Sequence, residues 1–448
     1  MTTRLAAVLS LGLVLAGCSM PVSPPAPAPP RTAAAGPVRE VLSNGVVLIM
    51  QDHRAADVVA LQVWMRVGGR DERPDELGLP HYLEHMLFKG TPTRPPGSID
   101  RLIEGLGGTS NAFTSYDFTH FDVVVPAAHV RPGLELLADI AVNASFVPEE
   151  LEAEKKVVFE EMNLTEDDPE KFLARRLSEV AYRAHPYGRP ILGTRELLQA
   201  LTRDRLNGFY KKHYAPRNMA LVVVGPVTPN QVRPLVAATF GRLGGPPAAR
   251  PTATPVPPLT GGRTDDVPRP EQQAYLGLAW QAAATGVASE DISAVDLLTY
   301  ILGDGPSSRL NQTVREEKRL VQSIEATYVT RELSGLVSVT ARLDPKNLDA
   351  AEAAIREVVR RVRADGVSEA ERQRAIVTAE SFYAFDIETA EGLAKSYGQA
   401  EVTWTLDNEL RYLDRLRQVT AAQIQAAARK YLGDNDVARV RFVPTGGR

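Results

Sequence analysis

The apolar and polar positions of this chain alternate between strand-like and helix-like periods. Segment 38–50 predicts a β-hairpin with Ser43-Asn44-Gly45 at its turn, and the apolar run 58–67 predicts a second strand. Further strands are predicted at 110–115, 119–125 and 219–225, and helices at 98–106, 131–144, 148–183 (with a kink near Pro169) and 228–243. Because the connections between these elements are mostly short, the mixture predicts an α+β fold.

The second part of the chain repeats this order of elements. A stretch rich in Pro, Gly, Ala and Thr, 244–267, is predicted to be a linker. Strands are then predicted at 272–281, 323–329, 334–343 and 438–443, and helices at 288–303, 307–317, 347–366 and 368–405. The repeated order predicts two related α/β sandwich halves, 38–243 and 268–448, each an antiparallel sheet packed with helices, although their sequences share no visible identity.

Length and charge narrow the class of protein. A chain of 448 residues exceeds one ordinary domain, and its apolar content is that of a globular protein. The formal net charge of −4 is mixed along the chain without a basic stripe, so nucleic acid is not expected as a partner.

Residues 1–17 have the pattern of an export signal. Arg4 precedes a short apolar stretch that ends in Leu15-Ala16-Gly17-Cys18, which resembles a bacterial lipobox. Cys18 is the only cysteine, so no disulfide can form within the chain, and its position predicts cleavage before it and lipidation of its thiol. The alternative is an ordinary secretory signal with an incidental cysteine, and both interpretations place the protein outside the cytoplasm.

Residues 18–37 form a segment rich in Pro and Ala that cannot bury a core, and we expect an extended tether. Ser19, rather than an aspartate, follows the cysteine. By resemblance to lipoproteins of double-membraned bacteria, this implies a periplasmic protein that is lipid-anchored to the outer membrane.

Two of the chain's seven histidines lie in one H-x-x-E-H motif, His81-x-x-Glu84-His85. Pro80 suits a first helical turn and Gly90 a helix end, so a helix is predicted here. On a helix, the three side chains of the motif share one face. Two imidazoles one turn apart can bind one zinc ion, and Glu84 is placed to accept a proton from water activated by that ion. The alternative is a helix with two surface histidines that pair with a glutamate.

The predicted helix 148–183 carries two glutamates on one face. Glu154 and Glu161 are seven residues apart, which nearly completes two helical turns. With the two histidines, one glutamate would give three protein ligands and leave one zinc position open for water. An acidic residue nearby commonly orients a ligating histidine. By residue type alone this helix would not be singled out, because a solvated charged face is the usual reason for such a composition.

These motifs resemble the pitrilysin and mitochondrial-processing-peptidase family of zinc endopeptidases over roughly residues 38–445. The matching segments are Gly78-Leu79, the H-x-x-E-H motif with its continuation to Thr91, Asn111-Ala112-Phe113-Thr114, Glu154 with Glu161, His185-Pro186-Tyr187-Gly188, Ile191-Leu192-Gly193 and Tyr214 to Met219. The resemblance implies that His81, His85 and Glu161 bind one Zn²⁺ per chain. It implies further that Glu84 is the general base and that Glu154 supports the site without binding metal.

The resemblance also implies two halves that face each other across a cleft, the second without the metal motif. Asn111 and Ala112 match an edge strand on which a peptide substrate lies extended, a mode that uses the free main-chain groups of the edge. The alternative for Asn111 is a turn or strand-end residue that bonds its own backbone. His120, His185 and His213 are expected to be structural or surface residues rather than ligands.

The second half departs from the family pattern at one position. Arg315 matches the arginine of a substrate-binding arginine–tyrosine pair, but the position seven residues later is Gln322, and Tyr328 has a different spacing. In related bacterial pairs, one subunit carries the zinc motif and the other carries the arginine–tyrosine pair. The resemblance therefore implies a heterodimer with a homologous subunit that completes the site, or a homodimer.

The predicted function is that of a zinc-dependent endopeptidase, which hydrolyses extended peptides or unfolded segments in the cell envelope. The alternative is a non-catalytic scaffold or peptide-binding envelope lipoprotein that retains the fold. The complete set of ligands and base favours the enzyme, because a scaffold has no physical need for it.

Overall fold

The computed structural model describes residues 36–245 and 253–445. The predicted signal peptide 1–17 and the predicted lipidation site Cys18 lie outside these ranges, as does most of the predicted tether 18–37. Within the described ranges, no helix is both long and apolar enough to cross a bilayer.

Six strands form the first sheet. They are β1 (Val38–Val41), β2 (Val47–Asp52), β3 (Val58–Met65), β4 (Thr109–Thr114), β5 (Thr119–Pro126) and β6 (Met219–Gly225). Their order across the sheet is β1-β2-β6-β3-β5-β4, so β4 is an edge strand. β2 and β6 run parallel, whereas the other neighbouring pairs are antiparallel. The sheet is therefore mixed and not purely antiparallel as predicted, because a long crossover returns the chain to β6 in the direction of β2.

The central strands of this sheet are buried on both faces. In β3, Leu61 belongs to the core on one face, and Ala60 and Trp64 belong to the core on the other. This explains why 58–67 and 219–225 are continuous apolar runs, since a strand covered on both faces has no polar side.

Eight α-helices belong to the described first half. They are α1 (Leu79–Leu87), α2 (Ser98–Gly105), α3 (Val130–Asn143), α4 (Pro148–Asp167), α5 (Pro169–Tyr182), α6 (Arg195–Gln199), α7 (Arg203–His213) and α8 (Pro229–Ala238). The single helix predicted over 148–183 is two helices, because the chain breaks at Asp168. A residue before proline is disfavoured in a helix. The Asp168 carboxylate then caps α5 by accepting hydrogen bonds from the backbone N–H groups of Glu170 and Lys171 at 3.0 and 3.1 Å.

A second sheet follows after residue 253. Its strands are β7 (Arg263–Arg269), β8 (Ala274–Ala282), β9 (Ser323–Val329), β10 (Gly335–Leu343) and β11 (Ala438–Pro444). Their order is β7-β11-β8-β10-β9, with β7 and β11 parallel and the other pairs antiparallel. β7 begins inside the predicted linker 244–267, so the last residues of that segment are part of the sheet.

Seven α-helices belong to the described second half. They are α9 (Ile292–Gly303), α10 (Leu348–Asp365), α11 (Glu369–Asp386), α12 (Ala390–Thr403), α13 (Leu406–Leu410), α14 (Tyr412–Gln418) and α15 (Ala421–Tyr431). The helix predicted at 368–405 is divided into α11 and α12, and the segment predicted at 307–317 is a short π-helix, Asn311–Glu317. The predicted α+β class with two sheets is confirmed.

Two helices pack on the sheet of the other half. α5 lies against the second sheet, where a Cβ on Gly277 of β8 would be 2.6 Å from Leu177 Cδ1. α12 lies against the first sheet, where a Cβ on Gly398 would be 2.0 Å from the Trp64 indole nitrogen. Each crossing therefore needs a glycine for its close approach, and each sheet is completed by a helix from the opposite half.

Candidate metal centre

Helix α1 presents the H-x-x-E-H motif from an otherwise apolar helix. Gly78 precedes the helix with a φ of 91°, and a Cβ there would lie 2.8 Å from the carbonyl oxygen of Leu192. The buried apolar residues of the helix are Leu79, Tyr82, Leu83, Met86 and Leu87. Their packing fixes the rotation of the helix, so that His81, Glu84 and His85 share the remaining face.

Glu161 on α4 lies opposite the two imidazoles. Its Oε2 is 3.4 Å from His81 Nε2 and 3.5 Å from His85 Nε2. The Tyr82 hydroxyl donates a hydrogen bond to the carbonyl oxygen of Leu151 and thereby joins α1 to α4. In the described residues, His81, His85 and Glu161 are the one group of His, Cys, Asp or Glu side chains whose ligand atoms all lie within 4.8 Å of one another.

The distances from Glu161 to the two imidazoles fit a tetrahedral zinc ion. Ligand atoms about 2.1 Å from a tetrahedral zinc lie about 3.4 Å from one another. The two measured N–O distances, 3.4 and 3.5 Å, have this length. Two histidines and a glutamate are also a donor set that zinc uses in catalytic sites, with the fourth position open. The three side chains therefore fit the metal that the motif predicts.

Glu154 contacts His85 on the side away from Glu161. Its Oε1 is 2.8 Å from His85 Nδ1, and its Oε2 is 2.9 Å from Lys89 Nζ. Burial alone would raise the pKa of Glu154, but the bonds with His85 and Lys89 outweigh it and lower that pKa. Burial alone would lower the pKa of His85, but hydrogen bonds with Glu154 and Glu161 raise it to about 9. Because His85 Nδ1 is held by Glu154, its Nε2 is left for the metal, and zinc and a proton compete for it.

Glu84 is held by a residue that the sequence did not single out. The Thr114 hydroxyl, at the end of edge strand β4, donates a 2.6 Å hydrogen bond to Glu84 Oε2. One carboxylate oxygen is thereby fixed, and the other is left free. Thr114 is part of the segment Asn111–Thr114 that resembles the family. Its hydrogen bond to Glu84 could not be read from that resemblance, because the bond depends on how β4 packs against α1.

Comparison with known proteins decides the family. Residues 46–195 match the family described as "Insulinase (Peptidase family M16)", and residues 200–378 match "Peptidase M16 inactive domain". A protein of Mycobacterium tuberculosis named "Uncharacterized zinc protease" is 31% identical over 415 residues, which cover 91% of this chain and 93% of that protein. The chain belongs to the M16 peptidase family. The predicted resemblance to the pitrilysin and mitochondrial-processing-peptidase family is thereby confirmed.

Other M16 relatives match along nearly the same length. "Uncharacterized zinc protease YmxG" of Bacillus subtilis is 29% identical over 91% of this chain and 98% of its own length. Among solved structures, a protease from Helicobacter pylori has a TM-score of 0.87 at 24% identity and covers 92% of this chain and all of that one. The first half of the periplasmic protease PqqL from Escherichia coli has a TM-score of 0.75 at 20% identity, covering 92% of this chain and 93% of that one. The structural matches establish the shared fold.

The strand beside the M16 metal site has one open edge. Asn111 and Ala112 lie in β4, which pairs with β5 on one side and, in the described chain, with no strand on the other. The Asn111 side-chain oxygen accepts a 2.9 Å hydrogen bond from the backbone N–H of Ala112. The alternative interpretation of Asn111, that its side chain bonds local backbone, therefore describes a contact that the structure contains, and this contact occupies the backbone N–H of Ala112.

Arg315, Gln322 and Tyr328 each have a partner in the second half. Arg315 is in the π-helical segment, with its Nε 3.7 Å from Glu316 Oε1. Gln322 accepts a 2.8 Å hydrogen bond from Gln273. The Tyr328 hydroxyl donates a 2.6 Å hydrogen bond to the carbonyl oxygen of Ala283, so it is engaged within its own half.

The three histidines that were not expected to be ligands are all buried outside the metal group. His120 stacks on Trp64 with ring centroids 4.3 Å apart, and His185 accepts a hydrogen bond from the backbone N–H of Tyr187. Burial lowers the pKa of His213 to about 4. Their roles in the described structure are those of packing and turn formation.

Proposed function

We propose that this M16 protein is a zinc-dependent endopeptidase that cleaves extended peptide segments. The observation that carries the proposal is the convergence of His81, His85 and Glu161, in which Glu161 lies at the spacing of tetrahedral zinc ligands from both imidazoles. Glu84 is on the same helical face as the histidines. The names of its relatives support the proposal at the level of zinc proteases.

Each residue of the site has a defined task in this proposal. His81 Nε2, His85 Nε2 and Glu161 would hold the ion, and when bound, zinc supplies a Lewis acid that lowers the pKa of water and polarises the scissile carbonyl. Glu84 accepts a proton from the attacking water on the carboxylate oxygen that Thr114 does not hold, and then donates it to the leaving amine. Glu154 holds His85 in the orientation that presents its Nε2.

The open edge of β4 supplies the proposed substrate contact. A peptide that adds as a strand beside Asn111 and Ala112 would bond the main-chain groups of that edge, and the Asn111 side chain would have to release the backbone N–H of Ala112 to it. Because Thr114 ends the same strand and binds Glu84, a peptide bond held along β4 lies near the base. This mode requires an extended substrate, which unfolded segments supply and compact domains do not.

Metal removal tests the proposal. We expect dipicolinate to abolish cleavage of an internally quenched peptide and stoichiometric zinc to restore it, because the three ligands have no catalytic role without an ion. Isophthalate, which lacks the chelating ring nitrogen, is the matched control and should change nothing. If the zinc-loaded protein binds the peptide without cleaving it, the alternative of a non-catalytic peptide-binding protein replaces the enzyme.

Replacement of Thr114 by valine tests the positioning of Glu84. We expect kcat to fall by about tenfold, because one hydrogen bond to a charged group, worth about 1.5 kcal/mol or more, is lost. Zinc content and KM should stay unchanged, which separates orientation of the base from loss of metal or substrate. Thr109→Val, at the exposed start of the same strand, is the matched control. Equal kcat in the Thr114→Val variant and the wild type would contradict the assigned role.

We also propose that a homologous subunit completes the substrate site. Two observations support this proposal. Gln322 is at the position where the family pair has a tyrosine, and the Tyr328 hydroxyl is hydrogen-bonded to the carbonyl oxygen of Ala283. We expect that adding a homologue that lacks the zinc motif but carries the arginine–tyrosine pair raises the kcat/KM of the purified chain. The two proteins should also co-elute in size-exclusion chromatography. A monomer with full activity on its own would refute the heterodimer, and a self-associating active chain would favour the homodimer.

The proposed location is the periplasm, with a lipid at Cys18 as the membrane anchor to the outer membrane. The support is the sequence pattern at 1–18 followed by the Pro- and Ala-rich segment. Labelled palmitate should be incorporated into the wild type and not into the Cys18→Ala variant, and a wild type without label would exclude this anchor.

A further inference from the structure

The second half contains a large cavity that is separate from the metal centre. Its volume is about 770 Å³, and it is lined by one side of α12 and by residues of α9, α11, α13 and α14. None of the proposed metal ligands, base or substrate-strand residues lies in its wall. The volume is in the range of pockets that hold small organic ligands, about 300–1,000 Å³.

Two carboxyl groups in the cavity wall are held only by hydroxyl groups. The Tyr412 hydroxyl donates a 3.0 Å hydrogen bond to Asp296, and the Ser396 hydroxyl donates a 2.7 Å hydrogen bond to Glu409. Burial raises the pKa of Asp296 to about 7 and also raises the pKa of Glu409. Among the described residues, no lysine, arginine or histidine contributes to either shift, whereas Glu409 itself raises the pKa of Asp296. Neither acid is therefore paired with a cationic side chain of the described residues.

Aromatic rings form another part of the same wall. Tyr383 and Tyr412 have ring centroids 5.9 Å apart, and Trp404 also lines the cavity. Lys395 is the one cationic side chain of the wall in the described chain, against the carboxylates of Asp296, Asp386, Glu391 and Glu409. The guanidinium of Arg415 already lies over the Trp404 ring, 5.5 Å from its centroid. The faces of the tyrosine rings attract cations, and an unpaired buried carboxylate gains most from one. The wall is therefore complementary to a positively charged organic group.

We propose that this cavity binds an organic cation through an alkylammonium or guanidinium group, with Asp296 and Glu409 as counter-charges and the aromatic rings against its carbon chain. A free polyamine and a lysine or arginine side chain of a peptide both offer this chemistry. The site does not depend on the metal centre, so its test is independent of any peptidase activity.

Calorimetric titration of the purified chain tests the proposal, with spermidine and N-acetyl-lysine methylamide as separate probes. We expect one site per chain, and Asp296→Asn and Glu409→Gln should each weaken binding by about tenfold or more, since each removes a charged hydrogen-bond partner. Both substitutions conserve size and still accept the hydrogen bonds of Tyr412 and Ser396. Asp407→Asn removes an exposed charge from the same helix as Glu409, outside the cavity wall, and should leave affinity unchanged.

Tryptophan fluorescence gives a second readout of the same titration. Trp64 and Trp280 are buried in cores, so a change on ligand addition should come from Trp404 and be absent in Trp404→Phe. If spermidine binds more tightly than the lysine derivative, the occupant is a free polyamine. If the lysine derivative binds more tightly, the occupant is a side chain of a peptide. The proposal is overturned if neither probe binds, if both acid variants bind like the wild type, or if the dianion glutarate binds equally well.

Discussion

Glu84→Gln is expected to lower kcat for peptide hydrolysis by about 10²–10⁴-fold, the usual contribution of a positioned proton acceptor. The amide keeps the shape of the side chain and can still accept the Thr114 hydrogen bond, but it cannot take a proton from water. His81, His85 and Glu161 are unchanged, so zinc content should equal that of the wild type. Steady-state kinetics on a quenched peptide together with elemental analysis of the dialysed protein measure both quantities.

The matched control is Glu104→Gln, an exposed carboxylate on the neighbouring helix α2. This substitution makes the same chemical change away from the face of α1 that carries His81, Glu84 and His85, so kcat should equal that of the wild type. Wild-type kcat in the Glu84→Gln variant, with zinc in place, would remove Glu84 from the role of base and would leave the ligand assignment untouched.

Glu161→Ala is expected to have the largest effect on metal binding. It removes one of three protein ligands, so zinc affinity should fall by more than the roughly 10–100-fold that loss of an outer hydrogen-bond partner costs. Glu154→Gln, which alters such an outer partner of His85, should fall within that smaller range. Competition with a chromophoric chelator measures both constants on one scale.

Glu160→Ala provides the control on the same turn of α4. The Glu160 carboxylate is exposed and accepts a hydrogen bond from Asn163, so its removal should leave zinc affinity unchanged. Equal affinities in the Glu161→Ala and Glu160→Ala variants would show that Glu161 is not a ligand, and the proposed peptidase would then lack its third metal contact.

Strands with a clear apolar pattern were predictable from the sequence. β6 and β9 begin and end where the pattern predicted, at 219–225 and 323–329. β7 was missed because Arg263–Arg269 has alternating exposure but few apolar residues, and it lies beside a Pro- and Gly-rich stretch. Its place is determined by parallel pairing with β11, about 170 residues later, which no local pattern encodes.

The metal site shows the same division between local and distant information. The H-x-x-E-H motif predicts a helix and a shared face for three residues, and the structure has both. The family resemblance was needed to select Glu161 from a helix rich in charged residues, because the side chains that it meets, His81 and His85, are on a different helix. The bond from Thr114 to Glu84 and the cavity around Asp296 and Glu409 depend on tertiary packing, so the sequence alone contained no signal for either.

The reciprocal crossing of α5 and α12 has a consequence for the order in which the protein matures. The surface of β3 that holds Trp64 is closed by residues 390–403, which are translated about 325 residues after the end of β3 at Met65. Until then that apolar surface has nothing to cover it, and a nascent or prematurely terminated chain exposes it to aggregation or chaperone capture. The metal-bearing half is consequently not a transplantable module, since the helix that covers this face of its sheet belongs to the other half.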